Sequence, residues 1–177
     1  MEFERVVTRR RMCRAFTGED VAEGAVERIL DLATRFPSAG HTQPQEFIVV
    51  RDRKIKEDLA RAALGQTFVA DAPVVVAVVS DTERSRARYG RRGVEFYSVT
   101  DGAFASMLVL LAAVDQGLGA AFVAAFDDEA VGQVLGLPLH IRPIGLIAIG
   151  HCAEEPQRFR RRPKSDIVHR EMYGTHS

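Results

Sequence analysis

A long apolar segment in the second half of the chain limits the folds that the sequence can adopt. From Thr100 to Asp115 almost every side chain is apolar, Asp101 can cap the start, and Gly117 and Gly119 supply a stop signal. The segment predicts a helix that is apolar around its whole circumference. Such a helix belongs in a core or at a subunit interface.

The other segments alternate between helix and strand patterns. Apolar residues at helical spacing, ended by Pro37, predict a helix over 22–35. The continuous β-branched block from Ala72 to Val79 predicts a central strand that is buried on both faces of a sheet. The arginine-rich stretch from Thr82 to Arg92 is expected to be an exposed loop or a short polar helix. Shorter patterns predict strands over 47–50, 120–125 and 144–149, and helices near 55–63 and over 128–135. This order, without internal repeats, predicts a single α+β domain over residues 1–177.

Composition excludes several classes of protein. Lysine plus arginine and aspartate plus glutamate number 24 each, so no global field attracts nucleic acid, anionic lipid or an acidic partner. The start of the chain is charged and the longest apolar runs fall short of a membrane span, so no membrane location is expected. Two cysteines, Cys13 and Cys152, are too few for a disulfide framework, which favours a reducing cytoplasm.

Two basic clusters at opposite ends of the chain need a local explanation. The first places four arginines within the six residues 9–14, beside the apolar side chains of Met12, Cys13 and Phe16. Guanidinium groups bind phosphate and carboxylate bidentately, and the apolar neighbours indicate partial burial, so this run predicts an anion site. The second cluster, 158–164, lies in a C-terminal tail over 156–177 that is expected to wrap around something rather than form core.

A loop of small and hydrogen-bonding residues precedes the first predicted strand. Its side chains at Ser38, His41, Thr42 and Gln43 could line a polyol, although such residues also mark ordinary connections between a helix and a strand.

Together these stretches resemble the nitroreductase family. The N-terminal motif of that family, Arg-Arg-Ser-x-Arg-x-Phe, corresponds to residues 10–16, and its loop motif, Pro-Ser-x-x-Asn-x-Gln-Pro-Trp, corresponds to residues 37–45. The resemblance continues in order along nearly the whole chain, at 66–73, 101–103, 117–119, 122–126, 135–138, 149–151 and 160–163. The departures from the family pattern, which bear on cofactor identity and substrate stacking, are Met12 for serine, His41 for asparagine, Gln45 for tryptophan, and Ala124 where many members have glycine.

The resemblance implies an α+β, nitroreductase-like fold with a central mixed β-sheet flanked by helices, in an intertwined homodimer that buries the apolar helix. It implies that FMN binds at the subunit interface. Arginines of both clusters would grip its ribityl chain and phosphate, and the backbone around Ala124 would lie near the isoalloxazine ring. Three of the loop residues, Ser38, Ala39 and Gln43, would come from the other subunit. The full set of expected cofactor residues is Arg10, Arg11, Met12, Arg14, Pro37, Ser38, Ala39, Gln43, Gln66, Val123, Ala124, Ala125, Arg160 and Arg161.

The activity implied is that of an FMN-dependent oxidoreductase. NADH or NADPH would act as a transient reductant, and a nitroaromatic, quinone or similar electron-poor acceptor would be reduced in a ping-pong sequence. No protein catalytic residue is expected, because the flavin supplies the chemistry. No Gly-x-Gly-x-x-Gly turn follows a predicted strand, which argues against a stable dinucleotide site.

Several alternatives stay open at this point. Relatives of this fold use a deazaflavin, fragment reduced flavin or dehalogenate a substrate, and a non-catalytic flavin-binding protein is a further possibility. No metal site is expected, because His140, His151 and Cys152 lack ligand spacing. The arginines around Cys13 could make it a reactive thiolate, but a variable motif position is the favoured interpretation.

Overall fold

A four-stranded sheet lies at the centre of the structure, a computed structural model that describes residues 1–155 and 159–175. The strands lie in the order β1-β2-β4-β3. Their bounds are β1 (Gln45–Val50), β2 (Val74–Asp81), β3 (Gly119–Val123) and β4 (Ile141–Gly150). All three pairings between these strands are antiparallel, whereas a mixed sheet was expected. Parallel pairing is recorded within the described ranges at one isolated bridge, between Met12 and Ala120, where an N-terminal segment lies along β3.

Helices cover both faces of the sheet, which explains why the sequence of β2 is continuously apolar. The helices are α1 (Phe3–Arg9), α2 (Glu23–Ala33), α3 (Arg53–Ala62), α4 (Phe68–Asp71), α5 (Thr82–Arg92), α6 (Ser98–Asp115) and α7 (Asp128–Leu135). Alternate residues of β2 contact different cores: Val74, Val76 and Val78 pack with α2 and α6, whereas Val75 and Ala77 pack with α3, α4 and α7. The central position predicted for this strand is confirmed.

Local capping fixes several helix ends. The side chains of Asp52, Asp81 and Asp127 accept hydrogen bonds from backbone N–H groups in the first turns of α3, α5 and α7. Gly136 has a φ of 66°, a left-handed conformation that ends α7 after Leu135. The predicted bounds of this helix are therefore confirmed, whereas those of the strands shift by up to three residues.

The segment expected to be a loop or a short polar helix is part of a long helical stretch. Helix α5, a π-helical turn over Gly93–Tyr97 and α6 follow one another directly, with a break at Gly90 inside α5. By length and composition the stretch Thr82–Asp115 could span a membrane, contrary to the expectation from the apolar runs. More than half of its most apolar part is buried inside the molecule, as in a core helix.

The sequence predicted the two ends of the described chain unequally well. Helix α1 was not predicted, because its sequence is charged and carries one buried side chain, Val6. The tail within 159–175 is mostly exposed and contains a short 3-10 turn at Lys164–Asp166, in keeping with the expectation that it forms no core. Residues 156–158 and 176–177 of the predicted tail lie outside the described residues.

Candidate functional site

Arginines from both basic clusters of the sequence line one cavity. This cavity, hereafter the arginine cavity, has a volume of about 550 Å³ and is lined by Arg10, Arg11, Met12, Arg14, Glu154, Phe159 and Arg161. Five of the residues predicted for cofactor binding therefore line a common space, although Arg161 lies far from the others in the sequence. Phe159 supplies an apolar wall, and Glu154 supplies an acidic group that no sequence pattern indicated.

Backbone hydrogen bonds hold the N-terminal segment that carries these arginines against the sheet. The N–H of Cys13 donates to the carbonyl of Ala120 at 3.1 Å, and the N–H of Thr17 donates to the carbonyl of His151 at 3.0 Å. The sulfur of Met12 accepts from the N–H of Phe122 at 3.4 Å. The segment thus runs along β3 and the end of β4, which fixes the arginines at that side of the sheet.

Arg10 is the side chain in the arginine cavity with the most unfavourable surroundings. It is half-buried, and its Nη1 is buried with no hydrogen-bond partner among residues 1–155 and 159–175. Burial, and then the positive charges of Arg161 and Arg11, lower the pKa of Arg10. A buried donor without an acceptor costs free energy, and an anion placed here would satisfy the donor and offset the repulsion between the guanidinium groups.

The other two arginines of the N-terminal segment that line the arginine cavity, Arg11 and Arg14, have partners inside the protein. Arg11 Nη1 donates to the carbonyls of Thr8 at 2.7 Å and Arg10 at 2.8 Å, which fixes the orientation of its side chain. The guanidinium of Arg14 lies 5.9 Å from the centre of the Phe68 ring. Both side chains are therefore positioned without a ligand.

A second group of predicted residues meets at the far end of β3. Gln66 Nε2 donates to the carbonyl of Ala125 at 3.2 Å and to that of Ala63 at 3.0 Å. Val123 is buried at the end of the strand, whereas Ala124 and Ala125 are exposed. These residues share the β3 side of the sheet with the arginine cavity but do not line it.

The predicted loop residues lie elsewhere. Pro37, Ser38, Ala39 and Gln43 are absent from the wall of the arginine cavity, as is Arg160. The loop leads into β1, and β1 and β3 are the two opposite edges of the sheet. Within one chain the loop is therefore separated from the cavity by the width of the sheet.

The loop is anchored by a buried carboxylate whose role the sequence did not reveal. Asp101 was expected to cap the apolar helix, but it lies inside the first turn of α6 and its Oδ2 accepts from the N–H of Ala39 at 3.0 Å. Its side chain is 2% exposed, and burial raises its pKa even though the hydrogen bond from Ala39 opposes the shift. Arg88 also donates to the carbonyl of Gly40, at 2.9 Å.

Cys13 and Cys152 form a disulfide, with a Cα–Cα distance of 6.0 Å. The sequence interpretation treated Cys13 as a variable motif position and took two cysteines as a sign of a reducing compartment, so it missed this bond. The separation of 139 residues hides the pairing. A signal was present all the same, because each cysteine lies near one of the two segments assigned to the same anion.

Comparison with known proteins agrees with the resemblance read from the motifs. The profile of the nitroreductase family matches residues 7–71 and 61–151. The chain is 33% identical over 187 aligned residues to a protein of Thermus thermophilus named NADH dehydrogenase, covering 90% of this chain and 91% of that protein. It is 28% identical to a Bacillus subtilis protein named FMN reductase (NAD(P)H), covering 94% of this chain and 72% of that protein. A solved nitroreductase family protein from Streptococcus pneumoniae superposes with a TM-score of 0.87 at 28% identity, covering 96% of this chain and all of that one.

Proposed function

This chain belongs to the nitroreductase family, and we propose that it is an FMN-dependent oxidoreductase that uses NADH or NADPH to reduce small electron-poor acceptors such as nitroaromatics and quinones. The names of its relatives, NADH dehydrogenase and FMN reductase, support the nicotinamide and flavin parts of this proposal. The observation that carries it is the buried Nη1 of Arg10, which has no hydrogen-bond partner in the described part of the chain and lies at a cavity lined by four arginines.

The residues of the arginine cavity fit the phosphate end of FMN. The phosphate is a dianion with several acceptor oxygens, which guanidinium groups bind through charge-assisted hydrogen bonds. A volume of about 550 Å³ is within the usual range for small-molecule sites. We assign Arg10, Arg11, Arg14 and Arg161 to the phosphate and the adjoining chain of the flavin. Arg160, which precedes Arg161 in the chain, would close over it.

When bound, the flavin would supply the redox chemistry by accepting hydride from the nicotinamide and passing it to the acceptor. The chain would provide position and polarity. The exposed backbone of Ala124 and Ala125 would face the ring, and the hydrogen bond from Gln66 to the carbonyl of Ala125 would hold that backbone in place. Reductant and acceptor would use the same place in turn, so the kinetic order would be ping-pong.

The complete site would require two copies of the chain. Pro37, Ser38, Ala39 and Gln43 lie across the sheet from the arginine cavity, so in this proposal they complete the cavity of the partner subunit. The exposed apolar side chains along α6, including Phe104 and Met107, would form the interface of this homodimer. The whole chain would act as one domain in the cytoplasm, where both nicotinamide reductants are available.

Removal of Arg10 tests the proposal. The purified protein should bind FMN, and Arg10→Ala should weaken binding by about tenfold or more, because a hydrogen bond to a charged group contributes about 1.5–3 kcal/mol. Flavin fluorescence during titration measures the dissociation constant. Arg28→Ala, which removes an exposed arginine from α2, is the matched control and should bind FMN like the wild type.

Two results would contradict the proposal. A wild-type protein that binds no FMN at micromolar protein would remove its basis, and equal affinities in Arg10→Ala and Arg28→Ala would show that the arginine cavity does not hold the phosphate. Mass spectrometry of the cofactor released from freshly purified protein distinguishes FMN from a deazaflavin.

A further inference from the structure

The disulfide between Cys13 and Cys152 joins the two segments that line the arginine cavity. Cys13 lies between Met12 and Arg14 in the chain, and Cys152 lies two residues before Glu154; these three neighbours are all lining residues. The bond therefore couples one wall of the cavity to the other. Making or breaking this bond can therefore change the distance between the two segments that line the cavity.

Backbone hydrogen bonds also join the same two segments, so the fold does not depend on the sulfur bond alone. The N–H of Thr17 donates to the carbonyl of His151 at 3.0 Å, and that of Ala153 donates to the carbonyl of Ala15 at 2.9 Å. Breaking the disulfide would leave these bonds in place. We therefore expect that reduction of the disulfide loosens the arginine cavity and leaves the protein folded.

Gly119 provides the space that the two sulfur atoms occupy. A Cβ atom at this position would collide with Cys152 Sγ, and it would lie 2.7 Å from Cys13 Cβ and 2.8 Å from Cys13 Sγ. The φ of Gly119 is not in the left-handed region, so backbone conformation does not require glycine here. The close approach of the cysteine pair is the reason that a side chain is excluded.

Cys152 is the more accessible residue of the cysteine pair. Cys13 is 0% exposed, whereas Cys152 is half-buried and lines a second cavity of about 190 Å³. This second cavity, hereafter the Cys152 cavity, is also lined by Arg9 and Arg11. Their positive charges favour the entry of a small anionic molecule. Arg11 lines both cavities, so the place where a thiol would enter shares a wall with the proposed phosphate site.

We propose that the Cys13–Cys152 disulfide is a reversible, thiol-reactive site for small acidic thiols, and that its redox state sets how tightly the arginine cavity holds the flavin phosphate. In a reducing compartment, disulfides are usually transient, catalytic or redox-sensing. The coupling to flavin affinity rests on the function proposed above. The thiol exchange itself rests on the cysteine pair and the Cys152 cavity.

Reduction of the Cys13–Cys152 disulfide consumes two small thiols. The thiolate of the first attacks Cys152 Sγ, the Cys13–Cys152 bond breaks, and Cys13 leaves as a thiolate that takes a proton. A second thiol then attacks the small-molecule sulfur of the mixed disulfide. Cys152 is released as a thiol, and the two small thiols leave as one disulfide. The protein disulfide gains two electrons and two protons, and the two thiols are oxidised to one disulfide.

Thiol counting tests the exchange. Wild-type protein equilibrated with oxidised glutathione should show no thiol reactive with a chromogenic reagent after denaturation, and protein equilibrated with reduced glutathione should show two. Reduced glutathione, an acidic thiol, should act faster than cysteamine, a cationic thiol, at equal thiolate concentration. Two free thiols under both conditions, or faster reaction with cysteamine, would overturn the assigned site.

Flavin titration tests the coupling. Reduced wild type and Cys152→Ser should bind FMN about three- to tenfold more weakly than oxidised wild type, the ratio expected when one or two freed side chains must be ordered again on binding. Cys152→Ser should not respond to glutathione. The comparison between the two wild-type forms needs no substitution, so it holds even if the variant folds poorly.

The outcomes separate the two proposals. Equal FMN affinity in oxidised and reduced wild type would overturn the coupling and leave the flavin function intact. Absence of FMN binding in every form would instead overturn the flavin function, and the coupling with it.

Discussion

Asp101 shows how one buried carboxylate connects the apolar helix to a distant loop. Its Oδ2 holds the N–H of Ala39, and burial raises its pKa. The folded state therefore binds the proton of Asp101 more tightly than the unfolded state does. The stability that this group contributes is fully present below the ordinary carboxyl pKa, about 4, and is lost as the pH rises through the higher folded value.

We expect this pH dependence to disappear in Asp101→Asn, which keeps an acceptor for Ala39 but cannot ionise. As the pH rises from about 4, the free energy of unfolding of the wild type should fall relative to that of the variant. Urea unfolding of both proteins at several pH values measures the difference. Asp128→Asn, at an exposed position on α7, is the matched control. Profiles of wild type and Asp101→Asn that stay parallel would contradict this role for Asp101.

For single residues, the sequence predicted roles that depend on neighbours in the chain. It did not predict roles that depend on contacts with residues far away in the sequence. The density of arginines around Met12 indicated an anion site, and the structure places five predicted residues around one cavity. The partners of Asp101 and Cys13 could not be predicted in this way, because Ala39 lies 62 residues and Cys152 lies 139 residues away.

Among the elements, α6 presents an apolar stripe that the described residues of the chain leave exposed. Phe104 is 50% exposed and Met107 is 47% exposed, and Phe96, Val99 and Ala103 lie on the same side of the helical stretch. Contiguous exposed apolar side chains of this kind are typical of an interface between proteins.

We expect Phe104→Glu to weaken the proposed homodimer by at least about tenfold, because the substitution would place an unpaired charge in an apolar interface. Light scattering over a dilution series measures the mass. Leu139→Glu adds the same charge at a fully exposed leucine between α7 and β4 and serves as the control. A wild type that is monomeric at all concentrations, or a Phe104→Glu variant that dimerises like Leu139→Glu, would contradict the assignment.

Elements with a strong apolar pattern were predictable, and elements formed by polar sequence were not. The block in β2 and the periodic helix α7 appear near their predicted positions, because burial on two faces or one face leaves a direct trace in the sequence. Helix α1 and the π-helical turn at Gly93–Tyr97 carry few buried side chains. Both elements contact α6, and no local sequence pattern encodes these contacts.

For the molecule as a whole, FMN should act as a stabilising ligand. A ligand that binds only the folded state at about one hundred times its dissociation constant contributes about 2.7 kcal/mol. For a domain of this size, that contribution raises the melting temperature by roughly 5–10 °C. Calorimetry measures the shift, and riboflavin, which lacks the phosphate, should give a smaller one at the same concentration. Equal shifts of the melting temperature with FMN and with riboflavin would show that the arginines do not bind the phosphate.

The strand order has a consequence for synthesis of the protein. Strand β4 is the last in the sequence, yet it lies between β2 and β3 and pairs with both. While the ribosome holds residues 141–150, β2 and β3 lack their shared neighbour and present bare edges, and one of these belongs to the most apolar strand. The sheet is therefore completed only after β4 has left the ribosome, and the nascent chain is most exposed to aggregation just before that moment.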